Sequence, residues 1–534
     1  MKNYAPSRRW VLATLNLSLL AGCVAERPQD NAAQPSPQAP QQERLAQPSG
    51  NIRLVTREVS LGEVPLMARL KGQVASTDNR HLAYPVMHAG HWTVSLDGVQ
   101  GPEFDTLGDA TLLFSPDGQH FTYTGKRAGR WRVVLDAKEG PEFDDVARGS
   151  ILFSRDSQRL AYGAMRGGKG LVVVDGNEGP VFDGIIKDSI VWSPDSRRLA
   201  YGAMRGRVHF VVVDGKEGPG FNSLEESAPV FSPNSQRLAY RATGHGKAFV
   251  VLDGKEGPGF DAFARRSIVF SPDSQRLAYG AKRGEKCLVV VDGKEGPEFD
   301  GILAGSTVFS PDSQRLAYAA GRGEKRLAVV DGQEGPPFDG IGAGPLLFSA
   351  DSRRVAYVAG RGGKMLAAVD GHEGPVFDGI GAGPLIFSPD SQHVAYGACR
   401  GGKWRVVLDG KEEPEFDEVG EGSLVFSPDS QHFAYTAKLD GRWCVVVDGK
   451  QWPQSFDVVG EPVFSPNSRH VACTGMRGDN GSLMVDGQEG KKYPDWISPP
   501  RFEGPKLVRV LAFGLDQSFN RTALRVEVEI VDEK

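Results

Sequence analysis

Cysteine is scarce in this chain: five in 534 residues, with no CxxC pair among them. That excludes a small disulfide-built scaffold and a zinc ribbon, both of which need closely spaced sulfur. A basic excess is missing too. The formal net charge is -5, where nucleic acid calls for a basic domain or stripe. No apolar run is long enough to cross a bilayer as a helix, and the N-terminal one, Trp10 to Leu20, falls well short. Gly (67) and Pro (35) are plentiful, but no three-residue period runs through them, which excludes a collagen-like chain. No GxSxG elbow, HExxH or P-loop pattern occurs.

What the chain does have is one phrase written many times. FSPDSQRLAYGAKRGEKCLVVVDGKEGPEFDG, residues 270 to 301, has close copies on both sides. The copies open at Phe114, Phe153, Trp192, Phe231, Phe270, Phe309, Phe348, Phe387 and Phe426, 39 residues apart. A worn copy opens at Ala75, and two more follow at Phe464 and Phe502 with spacings of 38, making twelve. A fixed period in this range means a solenoid, propeller or array. Each unit reads as four short extended segments with turns between them. Pro272-Asp273-Ser274 is turn chemistry. Arg276 to Gly280 is a second segment, Cys287 to Val291 a β-branched third, Asp292-Gly293 a hairpin signal, and a weaker fourth carries Phe299. Four-stranded antiparallel units of about 40 residues are propeller blades. Because strand side chains alternate, Leu277 and Tyr279 share one face and Ala278 and Gly280 the other. A large face and a small face suit blade-on-blade stacking. The tyrosine slot, filled from Tyr84 to Tyr435 with Cys473 the exception, is therefore expected between blades rather than in a sugar site.

FSPDSQRLAY, followed by DG about a dozen residues later, resembles the TolB-type propeller repeat, a WD-repeat-like family common in bacterial envelope proteins. The likeness covers about residues 75 to 513. It implies the fold and much less about function. Residues 51 to 74 are too few for TolB's separate amino-terminal domain. The fold class expected is thus all-β, a β-propeller of twelve four-stranded blades. Twelve exceeds the usual four to eight per ring. The expectation is therefore two tandem six-bladed propellers, 51–292 and 293–534, splitting near Asp292, with one large ring as the alternative. The last unit, from Phe502 to Val531, lacks a fourth strand, and residues 62 to 74 precede the first start in a fourth-strand position.

The first fifty residues read as targeting. A basic start (Lys2, Arg8, Arg9), the short apolar run and small residues make residues 1–23 a secretory signal. Leu20-Ala21-Gly22-Cys23 resembles the lipobox of bacterial lipoproteins, which implies a lipid on Cys23 and cleavage before it. Several acyl chains on one residue anchor durably. Val24 after the cysteine is compatible in that family with outer-membrane sorting. Ser7-Arg8-Arg9-Trp10-Val11-Leu12 resembles a twin-arginine export signal, though Val11 and Ala13 depart from its usual residues. Residues 24–50 form a Gln/Pro/Ala tether without apolar periodicity. As a flexible coil it reaches about 30 Å. The expected location is the cell envelope, at the periplasmic face of the outer membrane.

Catalysis on a repeat scaffold must break the symmetry, because different groups have to converge on one point. No inserted loop interrupts the spacing. His81, His120, His393, His432 and His470 share one slot with Arg159, Arg198, Arg237, Arg276, Arg315 and Arg354. They read as basic partners of an acidic turn, not metal ligands. The repeated acids Asp273, Asp292, Glu295 and Asp300 lack a calcium loop's length. Cys287, Cys399, Cys444 and Cys473 occupy unrelated slots and read as buried free thiols, although Cys399 and Cys444 lie in adjacent blades. No catalytic residue, metal or cofactor is expected.

Comparing units locates variation instead. SPDS and DGKEGP hardly change, whereas the second turn (MRGG, TGHG, KRGE, KLDG) and the links between units (IIKDS, LEESA, FARRS, IGAGP) do. In a propeller both variable connections emerge on one face, which is where recognition belongs. That face repeats a cation: Arg127, Arg166, Arg205, Arg283, Arg322, Arg361, Arg400 and Arg477, with Lys169, Lys247, Lys286, Lys325, Lys364 and Lys403 three residues on. Such a ring could meet an anionic envelope polymer or an acidic protein. The other reading is a solvated turn with local Glu partners. The expected function is a non-enzymatic protein- or polymer-binding scaffold anchored through Cys23. The alternative is a propeller-fold polysaccharide lyase or glycoside hydrolase.

Overall fold

In blade 6 the repeated phrase folds as its residues dictate. Asp292 (φ 52°) and Gly293 (φ 77°) form the two left-handed positions of a hairpin turn. The Asp292 carboxylate accepts from Leu277 N at 2.8 Å and from Arg276 Nε at 3.1 Å, holding the second and third strands together. Leu277–Arg283 pairs antiparallel with Lys286–Val291, which pairs with the outer strand Lys294–Phe299. The inner strand is made of two pieces, Ala262–Phe263 and Val269–Phe270, both paired to Leu277–Arg283 across a bulge.

The computed structural model describes residues 52–64, 72–109, 111–342, 345–515 and 520–533. The signal segment with Arg8 and Arg9, Cys23 and the tether lie outside the described residues. The described residues build twelve antiparallel sheets of this design, the blades of a β-propeller, following one another around a ring. From blade 2 to blade 11 each is bound to the next by the same parts. Asp273 N donates to Ser313 Oγ of blade 7 at 2.9 Å, and the same bond recurs from Asp117–Ser157 through Asp429–Ser468. Phe299, on the outer strand of blade 6, meets Tyr318 of blade 7 edge-on at 6.0 Å, and Phe–Tyr pairs recur from Phe104–Tyr123 to Phe416–Tyr435. The tyrosine stripe is interblade core, as its alternation implied. Ala278 packs with Leu316 and Tyr318 ahead, while Leu277 and Tyr279 pack with Ala239 and Val250 behind. The tyrosine face has no spare room beside its ring either: a Cβ on Gly125, two residues after Tyr123, would lie 2.3 Å from the Phe104 ring of blade 1. Gly125→Ala is expected to lose about 1–3 kcal/mol of stability by overpacking, measurable by chemical denaturation.

The ends differ from expectation in one particular. The strand that completes blade 12 is Ile52–Glu63, not residues 62 to 74. It pairs antiparallel with Arg521–Asp532, with Thr56 opposite Val528. Its sequence falls outside the repeat, so spacing alone could not place it. Lys294–Phe299 stays with its own blade, and blades 6 and 7 meet through the same kinds of contact as the blades beside them. Blade 12 packs on blade 1 through Leu511 and Phe513 against Leu82 and Tyr84. Asn79 Nδ2 donates across this junction to Pro499 O at 2.7 Å and Arg509 O at 3.2 Å. Arg509, nearly buried, is held by Glu503 and Glu527. Burial works against the charge on Glu503. Hydrogen bonds from Arg509 and Arg80 outweigh it and hold the carboxyl below its ordinary value.

Asp156, Asp195, Asp273, Asp312 and Asp351 are lowered as well, chiefly by the serine hydroxyl two residues before each. Groups depressed in the folded state contribute stability that is complete above their unfolded value, here 3.8, and is lost as pH falls through the folded one. Circular dichroism should therefore show the fold persisting to about pH 4 and then failing steeply, because every blade loses the same support together. Failure beginning above pH 6 would contradict this.

Candidate functional site

Strand direction puts the second turns and the starts of the inner strands at one end of the ring, and the SPDS and DG turns at the other. At the variable end, Asp261 Oδ2 accepts from Gly284 N of its own blade at 2.7 Å, fixing the turn. Its Oδ1 takes Lys247 Nζ of the preceding blade at 2.6 Å. The same bridge recurs at Lys169–Asp183, Lys286–Asp300, Lys325–Asp339, Lys364–Asp378 and Lys403–Asp417. Those lysines hold the aspartate carboxyls below their ordinary value, helped by the turn N–H at each.

The eight arginines sit at this end, and each has a glutamate of its own blade. The pairs are Arg127–Glu139, Arg166–Glu178, Arg205–Glu217, Arg283–Glu295, Arg322–Glu334, Arg361–Glu373, Arg400–Glu412 and Arg477–Glu489. Each guanidinium also lies 4.3 to 5.1 Å from the centre of a phenylalanine ring on the preceding blade. One side chain thus joins two blades and cancels a charge. The geometry is that of the local-partner reading, and pair by pair the ring is neutral. Arg477 is the most enclosed: it holds Glu489, donates to Ser455 O at 2.7 Å and covers Phe456. Arg477→Ala should cost about 1–2 kcal/mol of stability, read as a lowered denaturation midpoint. An unchanged midpoint would mean the contact is idle.

The histidines fall where their slot implied, with a different acid. His81, His120, His393, His432 and His470 place Nδ1 2.5 to 2.7 Å from the hairpin aspartates Asp97, Asp136, Asp409, Asp448 and Asp486. The turn acid is engaged elsewhere, as Asp273 is by Ser271. The bond from Asp97 raises the pKa of His81. Among the described residues no group of His, Cys, Asp and Glu is placed to hold a metal ion. Cys287, Cys399, Cys444 and Cys473 are free thiols. Burial pushes the Cys444 thiol up to about 11 and that of Cys473 up as well. Thiol-reagent labelling should reach half-buried Cys287 and Cys399 first and the other pair only on unfolding.

The links between units are not loops. Their first residues pair in the inner strand (Gly184 with Met204), their last do too (Val191 with Ala200), and the residues between bulge out. Neighbouring blades touch at these bulges. Arg148 reaches Asp109 of the preceding blade at 3.3 Å, and a Cβ on Gly383 would lie 2.9 Å from Gly422 N. Both lie on the edge formed by the first strand of each blade.

Here the repeat is broken. Lys187, Asp188, Arg265, Glu421 and Glu461 occupy bulge positions that read Ala304-Gly305 in blade 7. Partial burial raises the carboxyl pKa of Glu461. Arg241, buried, replaces the glycine of the small face, donates to Ala264 O at 2.8 Å and lies 5.8 Å from the Phe263 ring centre. Sequence reasoning saw the variability of these segments but not their pairing along the first-strand edge of each blade. The signal was the pair of apolar residues on each side of every polar tip.

No family model matches the chain, and no curated protein matches it. Among solved structures it is similar to a eukaryotic initiation factor (14% identity, covering 63% of this chain and 96% of that one, TM-score 0.33). It is also similar to TolB from Acinetobacter baumannii (14%, 57% and 80%, 0.21) and to the β-propeller domain of the Trilobed protease from Pyrococcus furiosus (13%, 57% and 97%, 0.21). The assignment to the β-propeller class rests on the strand pairing and interblade packing described above.

Proposed function

We propose that this protein is a lipid-anchored scaffold of the bacterial cell envelope, a single ring of twelve blades that binds a protein or an anionic polymer at its variable end without chemistry of its own. Support for one ring comes from the blade 6–7 junction, built like its neighbours, and from the N-terminal strand closing blade 12 rather than blade 6. Residues 50–534 also cluster as one compact unit.

The observation that carries the binding role is the contrast between the two ends. One end repeats blade after blade with almost no change of residue. At the other end the arginine–glutamate and lysine–aspartate pairs repeat too, but the residues that differ gather there, in the second turns and the bulges. A scaffold needs its differences together on one surface. Because the eight arginines already hold glutamates, the charge offered to a partner comes from non-repeated residues such as Lys187, Arg265 and Glu421. Crosslinking with the anchored protein tests this. Crosslinks should gather at the second turns and inner bulges and weaken in a Lys187→Ala, Arg265→Ala variant. Crosslinks confined to the opposite end, around Gln158 and Gln275, would contradict it. The anchor has its own test: Cys23→Ser should move the protein from the membrane to the soluble fraction.

A further inference from the structure

Eleven of the twelve blades protect their outer edge in the same way. The outer segment carries a proline in blades 1 to 10, from Pro102, Pro141 and Pro180 to Pro453, and in blade 11 Lys491-Lys492 precede Pro494. Proline, bulges, lysines and short pairing are the devices that keep a sheet edge from accepting another strand. Several of these edges also slip register, as between Leu288 and Val290. The twelfth edge has none of this over most of its length. Ile52–Glu63 is twelve residues long, contains no proline, and pairs regularly with Arg521–Asp532 from Ile52 to Ser60. Its other side has no strand beside it among the described residues.

The two faces of this strand differ. Ile52 and Leu54 pack into the core shared by blades 11 and 12, and Glu58 accepts from Lys491 and Tyr493, both at 2.7 Å. Arg53, Val55 and Arg57 are on the opposite face and exposed. Among the described residues neither Arg53 nor Arg57 has a carboxylate partner, in contrast to the eight arginines of the variable end. A strand laid along this edge would place two of its side chains, four residues apart, opposite Arg53 and Arg57.

We propose that the edge of Ile52–Glu63 is a strand-addition site for an extended segment of another protein, with acidic residues at positions i and i+4. Main-chain hydrogen bonds supply the register and the two arginines the selectivity. A second copy of this chain is a poor occupant. Antiparallel self-pairing centred on Arg57 or Glu58 sets like charges opposite each other, and centring on Thr56 leaves both arginines without an acid. The chain's own residues 24–50 are poor too, because Pro28, Pro35, Pro37, Pro40 and Pro48 remove ladder donors. The site is independent of the variable-end binding proposed above, and either can fail alone.

The test uses the full chain and two blocked peptides, Val-Lys-Glu-Thr-Val-Thr-Glu and the same peptide with lysine for both glutamates. The acidic peptide should slow amide hydrogen exchange across residues 52–60, and the lysine peptide should not. Arg53→Glu with Arg57→Glu should weaken the acidic peptide roughly tenfold and confer binding of the lysine peptide, a gain that also shows the variant is folded. Unchanged exchange with both peptides, or equal affinity after charge reversal, overturns the proposal. So does protection of residues 52–60 without peptide in a sedimenting dimer, which would make the occupant a second copy.

Discussion

A chain starting at residue 64 is expected to lose on the order of 5 kcal/mol of stability, because it removes the fourth strand of blade 12 and uncovers the junction with blade 1. Ile52 and Leu61 are buried, Leu54 partly so, and each apolar side chain of that kind contributes about 1.5–3 kcal/mol on burial. Ten directly opposed residue pairs of the sheet go with them. The consequence reaches beyond one blade. Leu511 and Phe513 meet Leu82 and Tyr84 where the last blade closes on the first, and that contact depends on blade 12 keeping its shape. Denaturation of the truncated chain should show a lower midpoint and binding of an apolar dye before the main transition. A truncated chain as stable as the whole would mean the ring is closed by something else.

Phe299→Ala carries the second large effect. Its ring is fully buried, on the outer strand of blade 6 against Tyr318 of blade 7, and truncating such a side chain costs about 3–5 kcal/mol. The comparison with its neighbours matters more than the value. Phe260 and Phe338 make the same contact one junction before and one after. In one continuous ring the three alanine variants lose about the same stability. In two rings of six, residue 299 would stand at the boundary and differ from the others.

Sequence and structure agree where the information is local. Asp292-Gly293 specifies its own left-handed turn, and the alternation of Leu277, Ala278, Tyr279 and Gly280 specifies which face packs forward and which back. The cation ring was only half legible. Arg283 is plain in the sequence, but whether its charge is spent depends on Glu295, twelve residues on, and on the Phe260 ring of another blade. The division of blades was not legible at all. The junctions from blade 2 to blade 11 use the same residues, so no spacing marks where a ring ends, and the strand that completes blade 12, Ile52–Glu63, belongs to no repeat. The inner bulges escaped for a similar reason: sequence shows that IIKDS and FARRS vary, but only strand pairing places those links on the first-strand edge of each blade.

The central claim is that one ring contains all twelve blades, and electron-microscopic projection of the purified chain down its axis tests it most directly. The account predicts a single annulus of twelve wedges around an open centre. Paired discs of six wedges with closed centres would contradict it.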